Sequence, residues 1–220
     1  MSGLRVFALP VLLMAFALTS AGQSGTVEAL GPIDQEGVST AVKAVLEPRG
    51  YRLKLDDGSV AGEIWLRHGL VAAPKKNVAG VIYPRLPESV LVAVIVFPQG
   101  STDYRGQPIK AGTYNLRYEL IPNDGNHLGV APNRDFLLLV PSSADADPQA
   151  TFKFEDLVQL SKKATGSNHP GPMSLVQAEG SSAPDLSMDS EEHWVFSSAL
   201  KLEGGEELPF ALVVKGTAPQ

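Results

Sequence analysis

Thr113-Tyr114-Asn115-Leu116-Arg117-Tyr118-Glu119-Leu120 alternates without a break, with Tyr114, Leu116, Tyr118 and Leu120 on one side. Thr113, Asn115, Arg117 and Glu119 occupy the other. A period of two marks a β-strand with one face on a core and the other turned outward. Pro122 ends the segment, and Asn123-Asp124-Gly125-Asn126 supplies dense turn chemistry behind it. The same grammar recurs in both directions along the chain.

Upstream, Tyr51, Leu53 and Leu55 alternate with Arg52 and Lys54, and Asp57-Gly58 offers a two-residue hairpin turn of type I′. The return strand, Val60 to Arg67, sets Ile64 and Leu66 on one face and Glu63, Trp65 and Arg67 on the other. Val90 to Phe97 is an unbroken apolar run rich in Val and Ile, which predicts a central strand covered on both sides. Ser101 to Lys110 is predicted to be a polar loop. Downstream, Phe136 to Val140 forms another buried strand closed by Pro141. Trp194, Phe196, Leu200 and Leu202 pair with Leu208, Phe210, Leu212 and Val214 as a hairpin about Gly204-Gly205.

Between these strands, Ser142 to Gln149 shifts to Ser, Ala, Asp and Pro and is expected to be a surface linker. Phe154 to Ala164 carries the one helical pattern, with Glu155 and Asp156 early, Lys162 and Lys163 late, and Gly166 as a left-handed stop. Ser167 to Asp189 is Ser-, Gly- and Pro-rich and predicts loop, with one short strand at Ser174 to Gln177. Strands dominate and no βαβ alternation occurs. The expectation is a mainly β fold, an antiparallel β-sandwich of roughly seven to nine strands with one inserted helix near 154–164. It forms a single domain over 41–216, with a loop-rich insertion at 142–193 and a partly ordered lead-in at 22–40.

The first residues carry a different message. Arg5 precedes an apolar run from Val6 to Leu18, and Thr19-Ser20-Ala21 offers a small-residue cleavage site. That is the layout of a secretory signal peptide over residues 1–21. Its apolar run is too short for the ~20 residues that span a bilayer. The mature chain then begins near Gly22, is exported to the periplasm or the extracellular medium, and keeps no stable membrane anchor. With no cysteine, it has neither disulfides, a thiol nucleophile nor a thiolate metal site. The net charge of −6 and the absence of any Lys/Arg block argue against a nucleic-acid partner.

Ala111-Gly112-Thr113-Tyr114-Asn115-Leu116 resembles the Gly-x-Tyr-x-Leu turn-and-strand of immunoglobulin-like and fibronectin-like sandwich modules. The stretch from Asp103 to Tyr118 also resembles secreted bacterial domains of unknown function that carry a PAGTY-x-L hairpin. The resemblance implies an immunoglobulin-like or jelly-roll-like sandwich in which the Tyr114 hydroxyl anchors to upstream backbone. It implies no activity.

Polar side chains concentrate around this hairpin: Asp103, Arg105, Asn115, Arg117, Asp124, Asn126, His127, Asn133, Arg134 and Asp135. Two readings stay open. Asp103, Arg105, Arg134 and Asp135 could pair across loops and pin the domain edge, or Asp103, Arg105, Arg117, Asp124, Asn126, His127, Arg134 and Asp135 could line a polar ligand site. In the second case Arg105 or Arg134 would hold an anionic group bidentately. The Asn123–Asn126 turn invites calcium, but the further acidic positions of an EF-hand loop are missing. His169, Met173, Met188 and His193 form a candidate copper set, since imidazole and thioether suit that metal. Otherwise no cofactor is expected.

No Gly-x-Ser-x-Gly elbow, His-Glu-x-x-His helix or phosphate loop is present. Trp65 offers either a carbohydrate platform or a ring covered by the loop from Pro74 to Pro87 or by a second sheet, and Glu191-Glu192 reads as a charged strand edge. The expected function is therefore that of an exported, non-catalytic binding or structural module for a protein, a glycan or a small polar ligand. The alternatives are an extracytoplasmic metal-binding protein of the copper type and an untyped enzyme.

Overall fold

The computed structural model describes residues 23–75, 78–122, 131–178 and 182–217. The leader predicted at 1–21, and Asp124, Asn126 and His127, lie outside them. Among the described residues twelve strands form: β1 (Thr26–Leu30), β2 (Gly50–Lys54), β3 (Val60–Leu66), β4 (Leu91–Phe97), β5 (Ser101–Thr102), β6 (Pro108–Ile109), β7 (Gly112–Leu120), β8 (Asp135–Pro141), β9 (Pro172–Val176), β10 (Asp185–Met188), β11 (Trp194–Lys201) and β12 (Glu207–Lys215). Helix α1 covers Thr40–Lys43 and α2 covers Phe154–Thr165.

Ten strands run antiparallel in the order β1-β2-β3-β4-β7-β8-β9-β12-β11-β10. The ends of this series meet. Gly25 N–H donates to Leu186 O at 2.8 Å and Met188 N–H donates to Gln23 O at 2.9 Å, beside the Ser24–Ser187 bridge. The architecture is thus the expected antiparallel sandwich, drawn toward a barrel because its layers join at both sides. Closure leaves few unpaired strand edges to aggregate.

The inward faces follow the alternation: Ile64 and Leu66, Ile95 and Phe97, Tyr114, Leu116 and Tyr118, Leu137 and Leu139, Phe196 and Leu200, and Phe210, Leu212 and Val214 share one core. Tyr114 O–H donates to Lys110 O at 2.9 Å, the upstream anchor that the resemblance implies.

The outer faces hold the departures from expectation. In the stretch at 22–40, expected to be a partly ordered lead-in, β1 pairs with β2 over its whole length, and Ile33, Val38 and α1's Val42 pack on the outer side of β3 and β4. Trp65 is therefore no open platform. It is 3% exposed, its Nε1–H donates to Gly31 O at 2.9 Å, and its indole lies directly on Gly50, where any Cβ would collide. The predicted loop 101–110 contains the small β5–β6 hairpin, and Tyr104 from it packs with Val195, Ala211 and Val213 on the outer side of β11 and β12.

The segment expected to be mostly loop holds two strands, β9 at Pro172–Val176 and β10. Both are short, so their alternation is brief. Helix α2 forms where predicted. Its Gly166 sits at φ 65° and donates to Lys162 O, and Leu157, Val158 and Leu160 pack on the outer side of β8. The Asp57-Gly58 turn also forms, but only Gly58 is left-handed, at φ 80°; Leu55 N–H bonds Ser59 O, so the loop is one residue longer than type I′.

Candidate ligand-binding site

The outward row of β7 decides where chemistry can sit. Asn115 and Arg117 are fully buried and Glu119 is 2% exposed, although alternation alone turned them toward water. The cover is the stretch after β8. Rather than a surface linker, residues 142–152 cross β7 as a strap, because its carbonyls and Asp145 answer the polar row beneath.

Arg117 Nε and Nη2 donate to the two oxygens of Asp145 at 2.7 and 2.8 Å, Nη1 to Ser89 O and Ala150 O, and Nη2 also to Asp147 O. Its guanidinium lies 4.8 Å above the Phe152 ring centroid. Asn115 donates to Asp145 O and accepts from Ser142 O–H. Arg117 is saturated from within and offers a ligand nothing.

The other predicted site residues divide in the same way. Asp135 is fully buried; Ile82 N–H, Tyr83 N–H and Tyr118 O–H donate to it at 2.7–2.8 Å, which ties the 78–89 loop to the barrel end. Burial first, then the bond to Asp135, holds the Tyr118 hydroxyl protonated far above the ordinary tyrosine range. Arg134 Nε donates to Ile121 O at 2.9 Å.

Asp103 caps its own turn, accepting from Arg105 N–H and Gln107 N–H at 2.9 and 2.8 Å, and burial raises its carboxyl above the usual range. The Arg105 side chain is exposed. Asp103, Arg117 and Asp135 thus belong to three separate internal hydrogen-bond sets.

The His/Met residues are similarly dispersed by environment. His169 is exposed in the α2–β9 connection, whereas the Met173 side chain is wholly inside the core and Met188 packs against it. His193 is 3% exposed, stacks on Tyr104 with ring centroids 4.3 Å apart, and sets Nδ1 3.3 Å from Asp189 Oδ2. Tyr104 O–H donates to Glu191 at 2.6 Å; burial, then that carboxylate, pushes its hydroxyl up to about 12. Among the described residues no group of three or more His, Asp or Glu has the disposition of a metal site.

What remains is a cleft of about 350 Å³ between the end of β3 and the end of β11. Glu47, Pro48, Arg49, Tyr51, Leu66, Arg67, Ala199 and Lys201 line it. Its walls carry three cations and one carboxylate in a chain whose net charge is −6. Glu47 is taken by Lys201 at 3.2 Å. Arg67 is 5% exposed and reaches only carbonyls: Nη1 donates to Pro148 O at 3.1 Å and to Leu91 O at 3.5 Å. Its Nε is buried with no hydrogen-bond partner. Burial, then the nearby Arg117 charge, lowers its pKa from the usual arginine value.

Arg67 was legible only as an outer-face residue of its strand. Nothing local announces that residues 46–49 and Pro148 close over it, since both are distant in sequence. A second cleft, of about 510 Å³, includes Asn133, Gln177 and Asp189 in its lining, but Asp189 already accepts from the backbone N–H groups of Glu191 and His193.

No helix among the described residues is long and apolar enough to cross a membrane. Comparison with known proteins finds no matching family model, no similar curated protein and no similar solved structure.

Proposed function

We propose that this chain is an exported, non-catalytic binding module, a β-sandwich of immunoglobulin-like form that presents one small polar cleft. The observation that carries the reading is a contrast. The polar sets at Arg117, Asp135 and Asp103 are closed by their own hydrogen bonds, whereas Arg67, in the wall of the cleft, keeps a buried Nε without a partner. Retaining an unsatisfied buried polar group is unfavourable by about 1–3 kcal/mol, more for a charged one. Such groups are rare in folded proteins, and a role in binding is one of the reasons for which they persist. The cleft's size lies at the small end of ligand pockets, so a small polar ligand fits it better than a protein or a long glycan. The signal-like leader supports action outside the cytoplasm.

Cell fractionation with intact-mass analysis tests the first half. The expected species is extracytoplasmic and starts near Gly22; a cytosolic chain retaining Met1 would overturn export. Amide-shift mapping against a panel of small polar compounds tests the second half. Shifts grouped at Glu47, Tyr51, Ala199 and Lys201 are expected, while turnover of a compound without such a focus would point to an enzyme.

A further inference from the structure

Arg117 demonstrates how an arginine on this barrel is neutralised: its Nε–Nη2 edge faces both oxygens of one carboxylate, side on. The corresponding edge of Arg67 carries no hydrogen bond among the described residues, and no carboxylate stands within 4.0 Å of it as an ion-pair partner. Guanidinium groups use that edge to pair two parallel N–H bonds onto a carboxylate or phosphate, and since the Arg67 Nε is closed to solvent, an anion in the cleft reaches it as the guanidinium turns outward. Arg49, exposed on the lip, likewise makes no ion pair among the described residues. Lys201 adds a third charge, paired with Glu47.

We infer that the cleft is an oxyanion-binding site, in which Arg67 receives the carboxylate or phosphate of a small ligand and Arg49 screens it from the rim. The inference rests on the binding-module reading and names its ligand class. A bound anion supplies Arg67 with the counter-charge that Asp145 gives Arg117. Tyr51, Leu66 and Ala199 then form the less polar wall against which the remainder of the ligand lies. Because the anion binds only the folded chain, it stabilises by mass action.

The test is calorimetric titration and thermal unfolding of the purified chain with inorganic phosphate, sulfate and succinate, at ionic strength matched with chloride. The expected result is binding of at least one of them, with Tm raised by about 5 °C at a hundred times its Kd. Preference for phosphate or sulfate over succinate identifies a tetrahedral rather than a planar group. Arg67→Gln should abolish the effect, and Arg49→Ala should weaken affinity by roughly tenfold.

Should Arg67→Gln fail to fold, Arg67→Lys serves in its place, since it keeps the charge and loses the two-pronged edge. Its affinity should fall at least tenfold. Equal binding by the unaltered chain, Arg49→Ala and Arg67→Lys would overturn the assignment, as would no response beyond chloride. Amide shifts in the cleft with a neutral disaccharide but with none of the anions would overturn the ligand class while leaving the binding-module reading standing.

Discussion

Arg117 and Asp145 face each other side on, at 2.7 and 2.8 Å, with both side chains completely withdrawn from solvent. The pair joins β7 to the strap at 142–152, so its loss should be felt as global stability. Asp145→Ala leaves a buried guanidinium without a counter-charge and is expected to destabilise by about 3–5 kcal/mol. Urea unfolding should show the midpoint falling accordingly. The double variant Arg117→Met with Asp145→Leu should be less damaged than Asp145→Ala, because no unpaired charge remains.

Glu119 predicts a pH dependence. Burial, and then the Glu88 charge, push its carboxyl up to about 7, against the opposing pull of the Leu120 and Ser89 backbone N–H groups. The folded chain therefore holds this proton more tightly than the unfolded chain does. Stability should fall as pH rises from about 4.5 toward and through 7, where the folded state must ionise a buried carboxyl. The loss is on the order of 1–3 kcal/mol. Glu119→Gln should flatten that limb and be the more stable form at pH 8. Denaturant midpoints between pH 4.5 and 8 measure it, and an unchanged slope in the variant would contradict it.

Tyr83 reaches into the ladder between β9 and β12. Its hydroxyl donates to Val176 O at 2.7 Å and accepts from Ala211 N–H at 2.9 Å, at the place where Ala211 and Val176 pair. Tyr83→Phe keeps the ring and strands both backbone groups. A stability loss of about 1–3 kcal/mol is expected. Hydrogen exchange at Ala211 should quicken by more than the global change explains.

The inward faces were legible because period two acts over short distances and each long strand repeats it several times. Tyr114-x-Leu116-x-Tyr118 and Phe210-x-Leu212-x-Val214 point where their sequence says. Alternation separates two faces but does not say what covers the second. Asn115, Arg117 and Glu119 have the composition of a wetted face, and their burial depends on a strap about thirty residues away. β1 and β10 escaped notice for a related reason: each is short, and they meet one another from opposite ends of the chain. The site was hidden in the same manner. Arg117 and Asp135 beside the β7 hairpin are answered from within, whereas Arg67 stands out for a buried Nε without a partner and for the want of a carboxylate.

The most direct measurement is the side-chain Nε–Hε spectrum of the arginines, recorded with and without phosphate. Arg117 should give a slowly exchanging signal that phosphate leaves in place, and the Arg67 signal should move with saturation. A mobile Arg117 signal, or an Arg67 signal indifferent to phosphate, sulfate and succinate alike, would contradict the division between a paired structural arginine and an unpaired binding one.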